Sequence, residues 1–126
     1  MNKLLNFIIM KKRLLVIFLL VNILSLKVNA QVEATTGKVT LLRINRVGGS
    51  YGPASDKLDA EVIIKMSSKP DYAFGFQLRK DNDEITHQAM LTVLRESYNS
   101  DRNVKIEYTR EGSKKNLFII RVILEK

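Results

Sequence analysis

His87 is the only histidine in a chain of 126 residues that has no cysteine, and those two facts bound its chemistry. One imidazole cannot close a zinc site, and no second ligand follows it three or four residues on. His87 falls on an apolar helical arc, where packing is its expected role. The lack of thiols excludes disulfides, thiol catalysis, thiolate metal sites and lipid attachment at an N-terminal cysteine. Asp81, Asp83 and Glu84 cluster, but without the glycine and the distant glutamate of a calcium loop, so they are read as charges at a helix start. Gly48-Gly49-Ser50-Tyr51-Gly52 is read as a flexible connection, because no Lys-Ser/Thr follows at phosphate-loop spacing. No pair of carboxylates is placed across a cleft by any spacing here. The expectation is a protein that is not a stand-alone enzyme and needs no metal or cofactor.

Residues 14–26 form an apolar run broken only by Asn22 and Ser25. Lys11-Lys12-Arg13 precede it and Val28-Asn29-Ala30 follow it. A positive flank, a short apolar core and a small-residue exit are the parts of a cleavable export signal. The run is shorter than the ~20 residues of a spanning helix, which predicts no permanent membrane anchor. Met10, directly before the basic triplet, makes a tidier start than Met1. Residues 1–30 are therefore expected to be a signal peptide cut after Ala30. The rest is expected in the periplasm or outside the cell. The whole chain carries 21 Lys+Arg against 13 Asp+Glu, a formal +8. Lys3, Lys11, Lys12, Arg13 and Lys27 lie in the signal and no acid does, which leaves 16 against 13, or +3. So mild a charge lacks the footprint of a dedicated nucleic-acid binder.

Residues 31–126 suffice for one compact domain. Gln31–Thr36 is polar and read as loose. Gly37–Val47 is a predicted strand whose apolar phase flips between Leu41 and Leu42, as at a bulge. The Gly-, Pro- and Ser-rich residues 48–57 are read as a long loop that offers no core. Strand two is expected over Asp59–Met66, with Ala60, Val62, Ile64 and Met66 inward and Glu61, Ile63 and Lys65 outward. Strand three places Tyr72, Phe74, Phe76 and Leu78 inward and Ala73, Gly75, Gln77 and Arg79 outward. Gly75 marks strand curvature or the close approach of another backbone. Asp83 is the expected cap of a helix reaching Tyr98, with Met90, Val93, Leu94, His87, Tyr98 and Leu91 on its apolar arc. Strand four is Val104–Thr109, with Val104, Ile106 and Tyr108 inward. Strand five, Leu117–Leu124, is apolar throughout except Arg121 and should be covered on both faces.

Three strands, a helix, then two strands is the plan of a mainly β, five-stranded, OB-fold-like barrel with one helix between strands three and four. In that plan the strand two–three face and the loops between strands one–two and four–five bind ligands. The residues there suited to a polar ligand are Tyr51, Gln77, Arg79, Arg110, Lys115 and Asn116. Tyr51 supplies an aromatic face, and the others supply amide and charged partners.

From His87 onward, the helix Gln88-Ala89-Met90-Leu91-Thr92-Val93-Leu94-Arg95-Glu96-Ser97-Tyr98, a polar link, and Val104-Lys105-Ile106-Glu107-Tyr108 follow one another. That passage resembles the helix-to-strand-four region in the pentameric B subunits of AB-type bacterial toxins. The resemblance implies a small exported subunit that binds cell-surface glycans and assembles as a ring. The wide helix arc, extended by Ile85 and Ala89, also points to a homo-oligomer. The expected function is thus a secreted binding module for a saccharide or other polar ligand. A structural or accessory subunit of an exported assembly is the second expectation. Single-stranded nucleic acid is a third and disfavoured one, because strands two and three show no outward aromatic.

Overall fold

The computed structural model describes residues 2–24 and 30–126. Five strands make a mainly β molecule: β1 (Gln31–Ile44), β2 (Val62–Met66), β3 (Lys69–Phe76), β4 (Asn103–Arg110) and β5 (Asn116–Ile123). Helix α1 (Asn2–Leu24) precedes them, and α2 (Glu84–Ser100) lies between β3 and β4, where the sequence places a helix. The strands form one mixed sheet whose hydrogen bonding runs round a ring, β1-β2-β3-β5-β4. Every contact in it is antiparallel except β3–β5, which is parallel and pairs only Ala73–Gly75 with Asn116–Phe118.

β1 serves two neighbours. Its first part, Gln31–Lys38, pairs with β4, and its later part, Val39–Ile44, pairs with β2. The register shifts between Val39 and Leu41, close to the expected phase flip. The bulge bends the strand so that one chain segment can join both halves of the ring. Gln31–Thr36 is therefore strand, which corrects the expectation of a loose segment. Its inward positions are polar, so no apolar alternation marks it. Glu33 accepts a hydrogen bond from Tyr108 Oη at 3.1 Å, and Thr35 Oγ1 donates to Ser68 Oγ at 2.8 Å.

The main core fills the ring with Phe74, Phe76, Ile64, Ile106, Tyr108 and Leu94, all at most 1% exposed. Val104, Ile106 and Tyr108 point inward as their period-two pattern requires. A second cluster lies outside the ring: Leu58, Ala60, Ile63 and Ala73, with Tyr51 and Phe118 against them. Two expectations are corrected by it. The outward face of β2 and β3 is not solvated, since Ile63, Glu61, Ala73 and Gly75 are buried. The loop before β2 does contribute core, because Leu58 is 1% exposed. A Cβ on Gly75 would collide with the Val62 carbonyl oxygen and crowd Leu58, so the close backbone approach read from the sequence is present. β2 itself starts at Val62, three residues later than expected. Asp59 and Glu61 are held by side-chain bonds to Arg79, and the Asn45 amide donates to the Glu61 carbonyl at 2.7 Å.

α2 buries Met90, Leu94 and Ser97. Tyr98, expected on the buried arc, is 46% exposed, because Ser97 takes the inward place and donates to the Arg102 carbonyl at 2.7 Å. Asp83 does not cap the helix through its side chain; Asp81 Oδ1 instead accepts from the Asp83 amide at 2.9 Å. The helix ends on Asp101 in the left-handed region at φ 52°, with Lys38 Nζ 2.6 Å from its carboxylate. α1 precedes these elements in the chain. Its described side chains are all exposed, and no helix among the described residues is long and apolar enough to cross a membrane. Ser25–Asn29, with most of the expected cleavage sequence, lies outside the described residues.

Candidate functional site

Three polar clusters sit on the loops and edges of this frame. In the first, the loop between β1 and β2 is pinned to the start of β5. Tyr51 and Leu58 exchange backbone bonds of 2.9 and 2.8 Å and close the loop into a compact lobe. A single 3-10 turn, Ala54–Asp56, follows. The Asp56 carboxylate accepts from the amides of Lys115 (2.8 Å) and Asn116 (3.2 Å). Asn116 Nδ2 returns a bond to the Asp56 carbonyl at 2.7 Å. Tyr51 is half-buried against the second cluster, with the Arg43 guanidinium 5.9 Å from its ring centre.

The second cluster ties the same loop to the end of β3. Glu61 is 1% exposed. It accepts from Arg79 Nε at 2.6 Å and from the amides of Gly48 (3.1 Å) and Leu78 (3.3 Å). Burial pushes its pKa up, but the Arg79 bond, the two amides and the Arg79 charge outweigh burial and hold it below its ordinary value. Arg79 also grips Asp59 at 2.6 Å, and Gln77 Nε2 donates to the Asp59 carbonyl at 3.2 Å. The bond from Arg79 is the main reason Asp59 is held low, and its bonds to both acids raise Arg79 in turn.

The third cluster closes the ring beyond Phe74, away from α2. Tyr108 is fully buried and donates to Glu33, whose other oxygen accepts from Arg110 Nε at 3.2 Å. Arg110 Nη1 donates to Tyr72 Oη at 3.2 Å, and Lys69 Nζ lies 5.2 Å from the Tyr72 ring centre. The Arg110 bond lowers both Glu33 and Tyr72, while burial first and Glu33 second push Tyr108 up to about 12.

Beside this third cluster opens a cleft of about 520 Å³, lined by Ala30, Ser55, Arg110, Glu111, Gly112, Ser113 and Lys114. Most of its lining comes from the end of β4 and the β4–β5 turn, with Ser55 from the β1–β2 loop and Ala30 from just before β1. Lys114 Nζ meets Glu111 at 2.7 Å, which raises the lysine pKa. The cleft thus offers hydroxyls, a carboxylate and two cations, set among a larger share of apolar surface.

The six residues singled out from sequence do not converge. Arg110 lines the cleft. Lys115 and Asn116 stand just beyond its turn, held by Asp56. Tyr51 belongs to the pinned lobe, and Gln77 and Arg79 are engaged with Asp59 and Glu61. Ser55, Glu111, Ser113 and Glu33 were not foreseen. Turn residues that meet only through the fold leave no spacing signal.

Gly48-Gly49-Ser50-Tyr51-Gly52 does spell G-x-S-x-G. The nucleophile elbow that uses this motif requires a strand-to-helix turn with histidine and an acid in reach. Here the stretch joins two strands, and His87 packs its ring on Phe76 at 5.2 Å between centres. Among the described residues no three metal-ligating side chains cluster. No protein-family model, curated protein or solved structure matches this chain.

Proposed function

We propose that this chain is an exported, non-enzymatic binding module on an OB-fold-like barrel, that it takes a polar ligand, foremost a saccharide, in the cleft between the β1–β2 loop and the β4–β5 turn, and that it self-associates. The observation that carries this reading is the position of the 520 Å³ cleft. It opens between the two loops that flank the ligand surface of an OB-fold. The ring order with a parallel β3–β5 contact and the helix after β3 favour the same fold. The cleft's lining suits hydroxyl-rich ligands, which need paired donors and acceptors. α1, largely apolar and with its described side chains exposed, fits a signal segment that is removed.

Single-stranded nucleic acid has less support. The outer face of β2 and β3, which would stack bases, lies under Leu58 and Tyr51. The accessory-subunit reading draws on a different observation, an apolar groove between α2 and β5.

A panel of neutral and acidic oligosaccharides tests the first reading. Binding is expected to at least one member. Arg110→Ala and Lys114→Ala should each weaken it by about tenfold, as loss of a charged hydrogen bond does. A panel with no binder at millimolar concentration would reject the saccharide reading.

A further inference from the structure

Arg110 is tethered twice and still has donors to spare. Its Nε donates to Glu33 and its Nη1 to Tyr72 Oη, each at 3.2 Å. A guanidinium carries five N–H groups. Those bonds use two of them, which leaves three, both on Nη2 included, with no acceptor among the described residues. The side chain is 27% exposed and lines the 520 Å³ cleft. The tethers are themselves fixed. Glu33 also accepts from the fully buried Tyr108, and Tyr72 stacks on Phe74 of the core with 6.2 Å between ring centres. A guanidinium positioned in this way loses little further freedom when it grips an oxyanion.

The polar part of the lining is richer in donors than in acceptors. Ser55 and Ser113 bring hydroxyls with no partner among the described residues. Lys114 gives one of its three N–H groups to Glu111 and keeps two. Glu111 is the one carboxylate of the lining, so two cations against one acid leave a formal +1 there. The acids just outside it are already engaged: Glu33 by Tyr108 and Arg110, Asp56 by the amides of Lys115 and Asn116. Lys69 and Lys115 add to the positive side. The Arg110 bond first, then the charges of Arg110, Lys69 and Lys115, hold the Tyr72 hydroxyl below its ordinary value against burial. A neutral sugar hydroxyl that accepts a hydrogen bond must also place its own proton. An oxyanion only accepts, and so answers a surplus of donors.

We propose that the saccharide taken by this cleft bears an oxyanion, a carboxylate or a sulfate ester, which docks on the untethered N–H groups of Arg110, with Glu33 and Tyr72 as positioning residues and Lys114 as the second cation. This deepens the function proposed above and rests on its saccharide reading, to which it adds the class of sugar. The apolar share of the lining suits the C–H face of a sugar ring, which inorganic sulfate lacks.

Amide chemical shifts of the full chain, followed at neutral pH, test this with glucuronate, its methyl ester, a glucose sulfate ester, glucose and inorganic sulfate as probes. Glucuronate or the sugar sulfate should bind at least about tenfold tighter than the methyl ester or glucose, with saturating shifts at Glu111, Ser113 and Lys114. Which of the two binds tighter identifies the anion. Arg110→Lys keeps the charge but loses the planar fork, and should remove most of the preference. Tyr72→Phe keeps the ring and the Glu33 pair. It should narrow the preference by about threefold, with affinity for glucose unchanged. Arg95→Gln, on an exposed position of α2, should alter neither. Equal binding of charged and neutral sugars in the cleft overturns this proposal and leaves the saccharide reading standing. No binding by any sugar at millimolar concentration overturns both. Inorganic sulfate that binds as tightly as the sugar sulfate overturns the sugar part, and a preference that survives Arg110→Lys overturns the role of Arg110.

Discussion

Glu61 is the residue furthest from what its position in the sequence suggests. Period-two alternation puts it on the solvated face of β2, yet it is buried and held by one guanidinium and two amides. A buried charge of this kind is costly to orphan and cheap to replace together with its partner. Arg79→Met should therefore lower the melting temperature by roughly 8–15 °C, and adding Glu61→Leu should recover most of that loss. If the double variant melts no higher than the single one, Arg79 stabilises the fold by some route other than Glu61. The pH dependence follows from the same cluster. Glu61, Asp59 and Glu33 are all held below their ordinary values, so their contribution is complete above the normal carboxylate range and is lost as pH falls through the depressed folded-state values. Thermal stability should be flat from pH 7 to about 5 and decline below about 4.5. A decline that begins near pH 6 would contradict this account. Gly75 was legible because a glycine amid alternating aromatics has few structural explanations. Glu61 was not, because the loop that buries it joins through tertiary contacts alone.

At the scale of elements, regular alternation was a good guide and polar strands were not. β3, β4 and α2 lie within a few residues of their expected spans, since Phe74, Phe76, Ile106, Tyr108 and Leu94 repeat at the strand and helix periods. The first half of β1 was hidden by Glu33, Thr35 and Gly37 at its inward positions, where hydrogen bonds replace apolar contact. The β1–β2 loop was hidden by its composition. One leucine among glycines and serines carries no period, yet Leu58 anchors a second core. Asp56 holds that loop to β5, so Asp56→Ala should free it. Amide hydrogen exchange at Lys115 and Asn116 should accelerate by roughly tenfold, while exchange in β4 stays unchanged. Equal acceleration in both places would mean that Asp56 supports the whole sheet.

For the molecule as a whole, the ring of strands has one end occupied by α2 and the other by the Tyr108–Glu33–Arg110–Tyr72 chain of bonds. The order of elements made this plan readable from sequence, because a helix between the third and fourth of five strands suits few small β folds. The site was only partly readable. The loops that border the cleft could be marked from sequence, but which side chains face it depends on how the β4–β5 turn leans toward Ser55, and no residue spacing encodes that lean. The proposed ligand site and the proposed signal segment lie in separate parts of the chain, the cleft and α1. The cleft is the surface on which the proposed function stands. Amide chemical shifts recorded while a saccharide from the panel is added test it most directly. Ser55, Glu111, Gly112, Ser113 and Lys114 should move together and saturate. Shifts confined to α2 and β5, or spread without saturation, would contradict binding in the cleft.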